Sequence, residues 1–197
     1  MKKLVLLSSL LISLTFLVKA QTNTWVIDNM HSNIGFKISH MGISLVEGEF
    51  NDFSGTITAS KEDFSDAKAD ILIKAASINT DVQPRDEHLR SADFFDVEKY
   101  PDIHFVSTKI ERAYGNIYQL SGNLSMHGVT KPVVLEVTYL GQAYEEQMKV
   151  QKAGFMVKGV LNRDEFGISS FNFAMPSGAP MVGREVFLNI SLELIQK

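Results

Sequence analysis

The sequence predicts an all-β domain: an antiparallel sheet of eight strands with one short helix after the third strand. Apolar and polar residues alternate with a period of two through most of residues 21–197, the pattern of strands with one covered face. Gly, Asn, Asp or Pro bounds each run, and connections such as residues 114–116 and 127–128 are short enough for hairpins. These observations together favour a sheet of consecutive antiparallel strands.

The eight runs can be followed along the chain in order. The first, from about Trp25, places Ile34, Phe36 and Ile38 on one face. The second changes phase near residues 51–52, where we expect a β-bulge. The remaining runs cover residues 69–75, 103–110, 117–126, 133–139, 153–161 and 185–194.

One segment between the third and fourth runs is helical in character. Pro84 suits the first helical position, and Asp86 and Glu87 follow in the first turn, where the helix dipole favours acidic residues. Asp86 and Arg90 are four residues apart and are expected to form an ion pair. We therefore predict a short helix here.

Each strand has one apolar face that must be covered, either by a second sheet or by closing the sheet into a barrel. Alternation does not choose between these two solutions. An eight-stranded barrel is just wide enough to be filled by side chains or to hold one slender ligand. Gly48, Gly122 and Gly159 fall on the inward face, where they either mark bulges and corners or help to open a channel.

Residues 1–20 have the pattern of a secretory signal peptide. Lys2 and Lys3 precede an apolar run over residues 4–18, and Ala20 provides a small residue at the expected cleavage site. Cleavage leaves residues 21–197 as one domain, which we expect to be periplasmic or secreted. Without three of its 19 basic residues, this domain has 16 basic against 23 acidic residues, a net charge of −7, which argues against nucleic acid as a partner.

Residues 85–101 (RDEHLRSADFFDVEKYP) place many charges beside aromatic side chains. Arg85, Asp86, His88 and Arg90 fall within about one and a half helical turns. Such an edge suits an anionic or strongly polar head group, and Phe94 supplies apolar surface beside it. The alternative is a solvated helix that caps one end of a barrel.

Two further polar residues are candidates for the same site. His40 shares a face with Phe36 and Ile38, so it is either a hydrogen-bonded core histidine or a head-group donor. Arg163 follows the run over residues 153–161, where it forms either a local ion pair in a turn or a second polar part of a barrel mouth.

Motifs for catalysis and for cofactors do not appear in the sequence. The five histidines lack the spacing of metal ligands, and the chain has no cysteine. It also has no nucleophile elbow, phosphate-binding loop or dinucleotide fingerprint. We therefore expect no cofactor, no metal and no catalytic residue.

Four segments of the sequence resemble the YceI-like family in consistent order. They are HSNIGFKISHMGISLVEGEFNDFSGTI from His31, SINTDVQPRDEHLRSADFFDVEKYPDIHFVST from Ser77, LSGNLSMHGVTKPVVLEV from Leu120 and GVLNRDEFGI from Gly159. The resemblance implies an extended, lipocalin-like eight-stranded barrel that holds a polyisoprenoid or another long-chain amphiphile. It also implies periplasmic residence and frequent dimers.

The resemblance yields a specific functional hypothesis: a non-enzymatic carrier or sequestering protein for an isoprenoid quinone, a polyprenyl lipid or a fatty-amide lipid. Transient contact with a membrane surface belongs to this hypothesis. The expected head-group residues are Arg85, Asp86, His88, His40 and Arg163. The expected tail residues are Phe36, Ile38, Phe94, Phe155, Gly122 and Gly159.

Two alternatives stay open at this point. The first is a lipid-modifying enzyme that uses Asp86 and His88, or His40, as acid and base. The second is an interaction scaffold whose barrel is filled by its own side chains. A continuous internal cavity would count against the second alternative.

Overall fold

The alternating runs form one closed antiparallel barrel of eight strands, which confirms the predicted fold class. The computed structural model describes residues 21–197. The predicted signal peptide lies outside the described residues, so export stays a prediction.

The barrel wall contains eleven strand segments. They are β1 (Asn23–Ile27), β2 (Asn33–His40), β3 (Ser44–Phe50), β4 (Phe53–Ala59), β5 (Lys68–Lys74), β6 (Ile78–Asn79), β7 (Asp102–Tyr114), β8 (Ile117–Met126), β9 (Val129–Glu145), β10 (Val150–Asn162) and β11 (Val182–Gln196).

Eleven segments form eight barrel strands because three of the strands are interrupted. β1 and β2 lie end to end along β11, with Ile27 opposite Leu194 and Asn33 opposite Ser191. β3 and β4 are separated only at residues 51–52, where the sequence predicts a bulge, and β5 and β6 are separated by a short 3₁₀ turn. The barrel closes because β1 pairs with both β4 and β11.

The two ends of the barrel differ in what covers them. We call one end the floor; it carries both ends of the described chain, the hairpin turns at residues 115–116 and 146–149, and a loop of residues 60–67 that we call the floor loop. We call the other end the mouth. It carries the hairpin turn at residues 41–43, the helix, the turn at residues 127–128 and a segment of residues 167–181 that we call the mouth loop.

The helix α1 (Gln83–Arg90) follows the third barrel strand, as predicted, with Pro84 as its second residue. The predicted ion pair between Asp86 and Arg90 does not form. Arg90 instead donates from Nε to the carbonyl oxygen of Ala76 and from Nη2 to that of Ile78, both at 2.7 Å. Among residues 21–197, no helix is long and apolar enough to cross a membrane.

Of the two roles considered for the inward glycines, the marking of a bulge is confirmed for Gly122, which lies opposite a register shift of β7, whereas the opening of a channel requires a correction. Gly122 and Gly159 lie in the barrel wall, outside the lining of the bore, and each is covered by a neighbouring side chain. A Cβ atom added to Gly122 would lie 2.4 Å from the Phe105 ring, and one added to Gly159 would lie 2.6 Å from Leu135. These glycines therefore let large side chains lie flat against the wall and do not themselves widen the bore.

This close packing predicts that Gly122→Ala destabilises the barrel. The added methyl group also meets the carbonyl oxygen of Val106 at 2.7 Å, so the Phe105 ring cannot make room for it alone. We expect a loss of roughly 1–3 kcal/mol in the free energy of unfolding, measured by urea denaturation. Gly154→Ala is the matched control, because its Cβ would touch only Leu140, at 3.5 Å; an equal loss in both variants would contradict the explanation.

Candidate functional site

A cavity of about 480 Å³ occupies the bore of the barrel. Its wall is formed almost wholly by the inward apolar side chains of the strands, for example Ile57, Leu120 and Ile190. This volume lies in the range of pockets that hold small-molecule ligands. The barrel interior is therefore not filled by its own side chains.

Four aromatic rings close the cavity at the floor. Phe64, from the floor loop, lies 5.0 Å from Phe155, 5.2 Å from Trp25 and 5.4 Å from Tyr139, measured between ring centroids. Phe64 and Phe155 line the cavity, whereas Trp25 and Tyr139 do not. Phe64 thus separates the cavity from the outermost rings of the floor.

The polar groups of the floor are bonded to the floor loop. The Tyr118 hydroxyl donates to the carbonyl oxygen of Asp63 at 2.8 Å, and the Tyr139 hydroxyl donates to that of Glu62 at 3.2 Å. Burial raises the pKa of Tyr118, so the phenol stays neutral. The floor therefore offers a ligand an apolar and uncharged surface.

Polar residues line the cavity mainly at the mouth. Apart from Tyr118, the polar lining residues of the described chain are Ser39, His40, Thr80, Arg85, His88 and Arg163. All six belong to segments at the mouth end of the barrel. The cavity thus has one polar end and one apolar end.

Thr80 is the centre of a hydrogen-bonded group at the mouth. Its backbone N–H and its hydroxyl donate to the Asp86 carboxylate at 2.9 and 2.5 Å. Arg85 donates from Nε to the Thr80 hydroxyl at 2.7 Å and from Nη2 to the Thr80 carbonyl at 2.8 Å. Asp86 is buried and does not line the cavity; its place in the predicted head-group set is corrected to that of an anchor for the helix.

Three side chains at the mouth keep hydrogen-bonding capacity for a ligand. Within residues 21–197, Arg85 Nη1 and the His40 ring bond no protein atom. His88 uses Nε2 for Asp93, at 3.0 Å, and keeps Nδ1. The predicted pairing of Asp86 with His88 as acid and base is not observed.

Arg163 lines the mouth, but its guanidinium group holds the protein together. It donates from Nε to Gly183 O at 2.8 Å, from Nη1 to Ile168 O at 2.7 Å and from Nη2 to Asn172 Oδ1 at 2.5 Å. Burial lowers the pKa of this guanidinium from its usual value. Arg163 therefore fastens the mouth loop to β11 and adds positive potential at the mouth.

An aromatic group partly covers the mouth. Phe171, from the mouth loop, stacks on Phe94 with ring centroids 5.9 Å apart, and His88 meets both rings edge-on. The Ser170 hydroxyl ties the same loop to the carbonyl oxygen of Asp93. A ligand that enters at the mouth must pass these rings.

The structure brings together most of the residues predicted from sequence. The cavity is lined by Phe36, Ile38, Phe94, Phe155, His40, Arg85, His88 and Arg163, and it is not lined by Asp86, Gly122 or Gly159. Sequence reasoning missed Phe64, Thr80 and Phe171. Phe64 is the lone aromatic residue in the charged segment SKEDFSDAK, a signal that could have identified it.

A second cluster of titratable groups lies on the outer surface near the floor. Ligand atoms of Asp28, His31 and Glu193 all lie within 4.8 Å of one another. The Lys152 ammonium group lies 3.4 Å from Asp28, 2.8 Å from Glu193 and 2.7 Å from Glu145. The positive charge of Lys152 thus reduces the repulsion between these carboxylates.

Comparison with known proteins agrees with this geometry. A model of the YceI-like domain family matches residues 25–194. The UPF0312 protein of Photorhabdus laumondii is 36% identical over 171 residues, which cover 87% of this chain and 84% of the relative.

Two solved structures share the barrel. The crystal structure of the Campylobacter jejuni YCEI protein is 34% identical, with a TM-score of 0.68 over 87% of this chain and 96% of that chain. A polyisoprenoid binding domain from Saccharophagus degradans is 15% identical, with a TM-score of 0.65 over 88% of this chain and 98% of that chain; at this identity, the likeness shows the fold alone.

The anchoring role of Asp86 predicts that Asp86→Ala destabilises the domain. The substitution leaves the buried N–H and hydroxyl of Thr80 without their acceptor, which costs roughly 1–3 kcal/mol for each unsatisfied group. Thermal and urea denaturation measure the loss. Glu87→Ala is the control, since the exposed Glu87 contacts only Gln83 by hydrogen bond; equal effects of the two changes would refute the anchoring role.

The outer cluster predicts a measurable titration. The Asp28 carboxylate, which accepts a hydrogen bond from His31 at 2.9 Å, raises the pKa of His31 above 6.5. A raised pKa stabilises the fold below the unfolded value, and this contribution is lost as the pH rises through the folded value. NMR titration of the imidazole nitrogens should show the raised pKa, and Asp28→Asn should bring it back towards 6.5.

Glu47→Gln serves as the control for this titration, because Glu47 pairs with Lys37 in a different part of the wall. A pKa of His31 that stays unchanged in Asp28→Asn would show that the carboxylate is not the cause.

Proposed function

Since the chain belongs to the YceI-like domain family, we propose that it binds a long-chain isoprenoid or a similar amphiphilic lipid inside the barrel. It acts as a non-enzymatic carrier or sequestering protein in the periplasm. The observation that carries the proposal is one cavity with an apolar closed end and a polar open end.

The apolar wall accounts for affinity without covalent chemistry. A lipid tail that loses about 300 Å² of apolar surface to the bore gains about 7.5 kcal/mol at 25 cal/mol per Å². The affinity is what remains of this gain after the cost of association, so a tail that buries more surface binds more tightly. The tail is therefore the main source of binding energy.

The mouth accounts for orientation and for the class of head group. Arg85 Nη1 is a donor, and the guanidinium groups of Arg85 and Arg163 place two positive charges in the lining of the mouth. His40 adds a ring that donates or accepts according to its tautomer. Head groups rich in oxygen acceptors fit this set: the carbonyls of a quinone, the oxygens of a polyprenyl phosphate or the carbonyl of a fatty amide.

Exposed apolar residues near the mouth support transient contact with a membrane surface. Ile43 and Leu45, at the tip of the hairpin between β2 and β3, are 84% and 58% exposed, and Phe173 of the mouth loop is 56% exposed. Because the aromatic floor closes the other end, lipid exchange takes place at the mouth. The homodimer implied by the family resemblance stays a prediction.

The solved relatives add support of a general kind. The Saccharophagus degradans domain is described as polyisoprenoid binding and has the same fold. This likeness favours an isoprenoid over other amphiphiles as the first ligand to test.

Blocking the bore provides the test of this proposal. Leu120→Trp places a larger side chain on the inward face of β8, in the wall of the cavity. We expect the lipid that co-purifies with the wild-type protein, identified by mass spectrometry after organic extraction, to fall at least about tenfold in this variant, because the removal of a few buried methylene contacts is enough for that loss.

Gln119→Trp is the matched control, since the neighbouring residue points outward and is exposed. Circular dichroism should show that both variants keep their strands. Wild-type lipid content in Leu120→Trp, or no lipid retained by the wild-type protein from any donor membrane, would refute the proposal.

A further inference from the structure

The floor of the cavity limits how far a bound tail can extend. With the head group at the mouth, the far end of a tail must meet the aromatic floor, where Phe64 and Phe155 line the cavity. Within residues 21–197, Tyr118 is the one residue at this floor with a polar side chain that lines the cavity, and it gives its hydroxyl hydrogen to Asp63, so no side-chain donor is left for a second polar end. The floor therefore distinguishes ligands by the length of their hydrocarbon chain.

Phe64 is the floor residue whose position depends least on the barrel strands. It comes from the floor loop, is only 2% exposed, and adopts a left-handed backbone conformation with φ of 56°. An aromatic residue in this conformation is strained. The chain thus accepts local strain in order to insert this ring into the end of the bore.

Hydrogen bonds hold the floor loop in place behind the ring. The Asp66 carboxylate accepts from the backbone N–H of Ser60 at 3.0 Å and from its hydroxyl at 2.5 Å. The Asp63 carboxylate accepts from the N–H of Ser65 at 3.0 Å. With the bonds from Tyr118 and Tyr139, these contacts make the loop a fixed stop.

We propose that Phe64 determines the length of the lipid tail that the barrel accepts, an inference that rests on the proposed function. Because Phe64 lies across the floor end of the cavity, its ring sets how many isoprene units fit between the mouth and the floor. Longer tails must leave carbons outside the mouth.

A series of prenyl alcohols tests this inference. Delipidated wild-type protein is titrated with geraniol, farnesol, geranylgeraniol and solanesol, which share one head group and differ only in the number of isoprene units. Each methylene group buried adds roughly fourfold to the affinity. We expect the affinity to rise steeply until the tail reaches Phe64, and then to change by less than about twofold for each further isoprene unit.

Phe64→Gly should move this limit to longer chains. The substitution removes the ring and suits the left-handed backbone, so the first alcohol beyond the wild-type limit should gain at least about tenfold over the alcohol at that limit, because more of its methylene groups become buried. Phe64→Leu, which keeps a side chain, should show a smaller shift in the same direction and serves if the glycine variant does not fold. Ala67→Leu, which narrows the same end of the cavity, should move the limit to shorter chains.

Phe53→Leu is the matched control, because Phe53 is a buried phenylalanine of β4 that does not line the cavity. Its chain-length profile should match that of the wild type even if its stability falls. Wild-type profiles in both Phe64 variants would overturn the inference while leaving the proposed function intact. If wild-type protein bound none of the alcohols and retained no native lipid, the proposed function would fall, and this inference with it.

Discussion

The structure of the mouth depends on which donors bond the backbone carbonyl groups along one unpaired strand edge. β6 pairs with β3 on one side, but β7 reaches only as far as Lys74 on the other. The carbonyl groups of Ala76, Ile78 and Thr80 therefore have no strand to bond. Arg90 and Arg85 supply the missing donors, and since an unsatisfied buried carbonyl is costly, this contact fixes α1 across the open end.

Most charged groups of the helical segment form hydrogen bonds within the protein in this arrangement. Asp86 completes it by accepting both donors of Thr80, and Arg90 has its carbonyl partners. The charged segment thus has two functions: some of its groups bond the protein itself, and the others face the cavity. What remains for a ligand is Arg85 Nη1, His40 and the free nitrogen of His88, a smaller and more specific set than the sequence suggests.

The sequence could predict the wall of the barrel but not its two ends. Alternation depends on local pleating, so it correctly places Phe36, Ile38 and Phe155 on the inner face, and the family resemblance selects a barrel over a sandwich. The bonds of Asp86 join it to a residue outside the helix, and Phe64 enters the bore from a charged loop. Thr80 lies only six residues before Asp86, and Phe64 meets rings of three distant strands; the alternation that predicts the wall specifies neither contact. The contact between the Phe105 ring and Gly122 likewise joins two strands, and alternation does not specify it.

An unfilled bore has a thermodynamic consequence for a protein of this size. The apolar side chains that line it lack neighbours on one side, so they forgo the packing contacts of a filled interior. The strands are nevertheless joined in a closed ring of backbone hydrogen bonds, which are made without the side chains that face the bore. A ligand that fills the bore restores part of those contacts, so binding and stability are coupled. The bonds of Arg85 and Arg90 at the mouth and of Tyr118 at the floor are made within the protein, so neither end of the cavity needs a ligand to hold its shape.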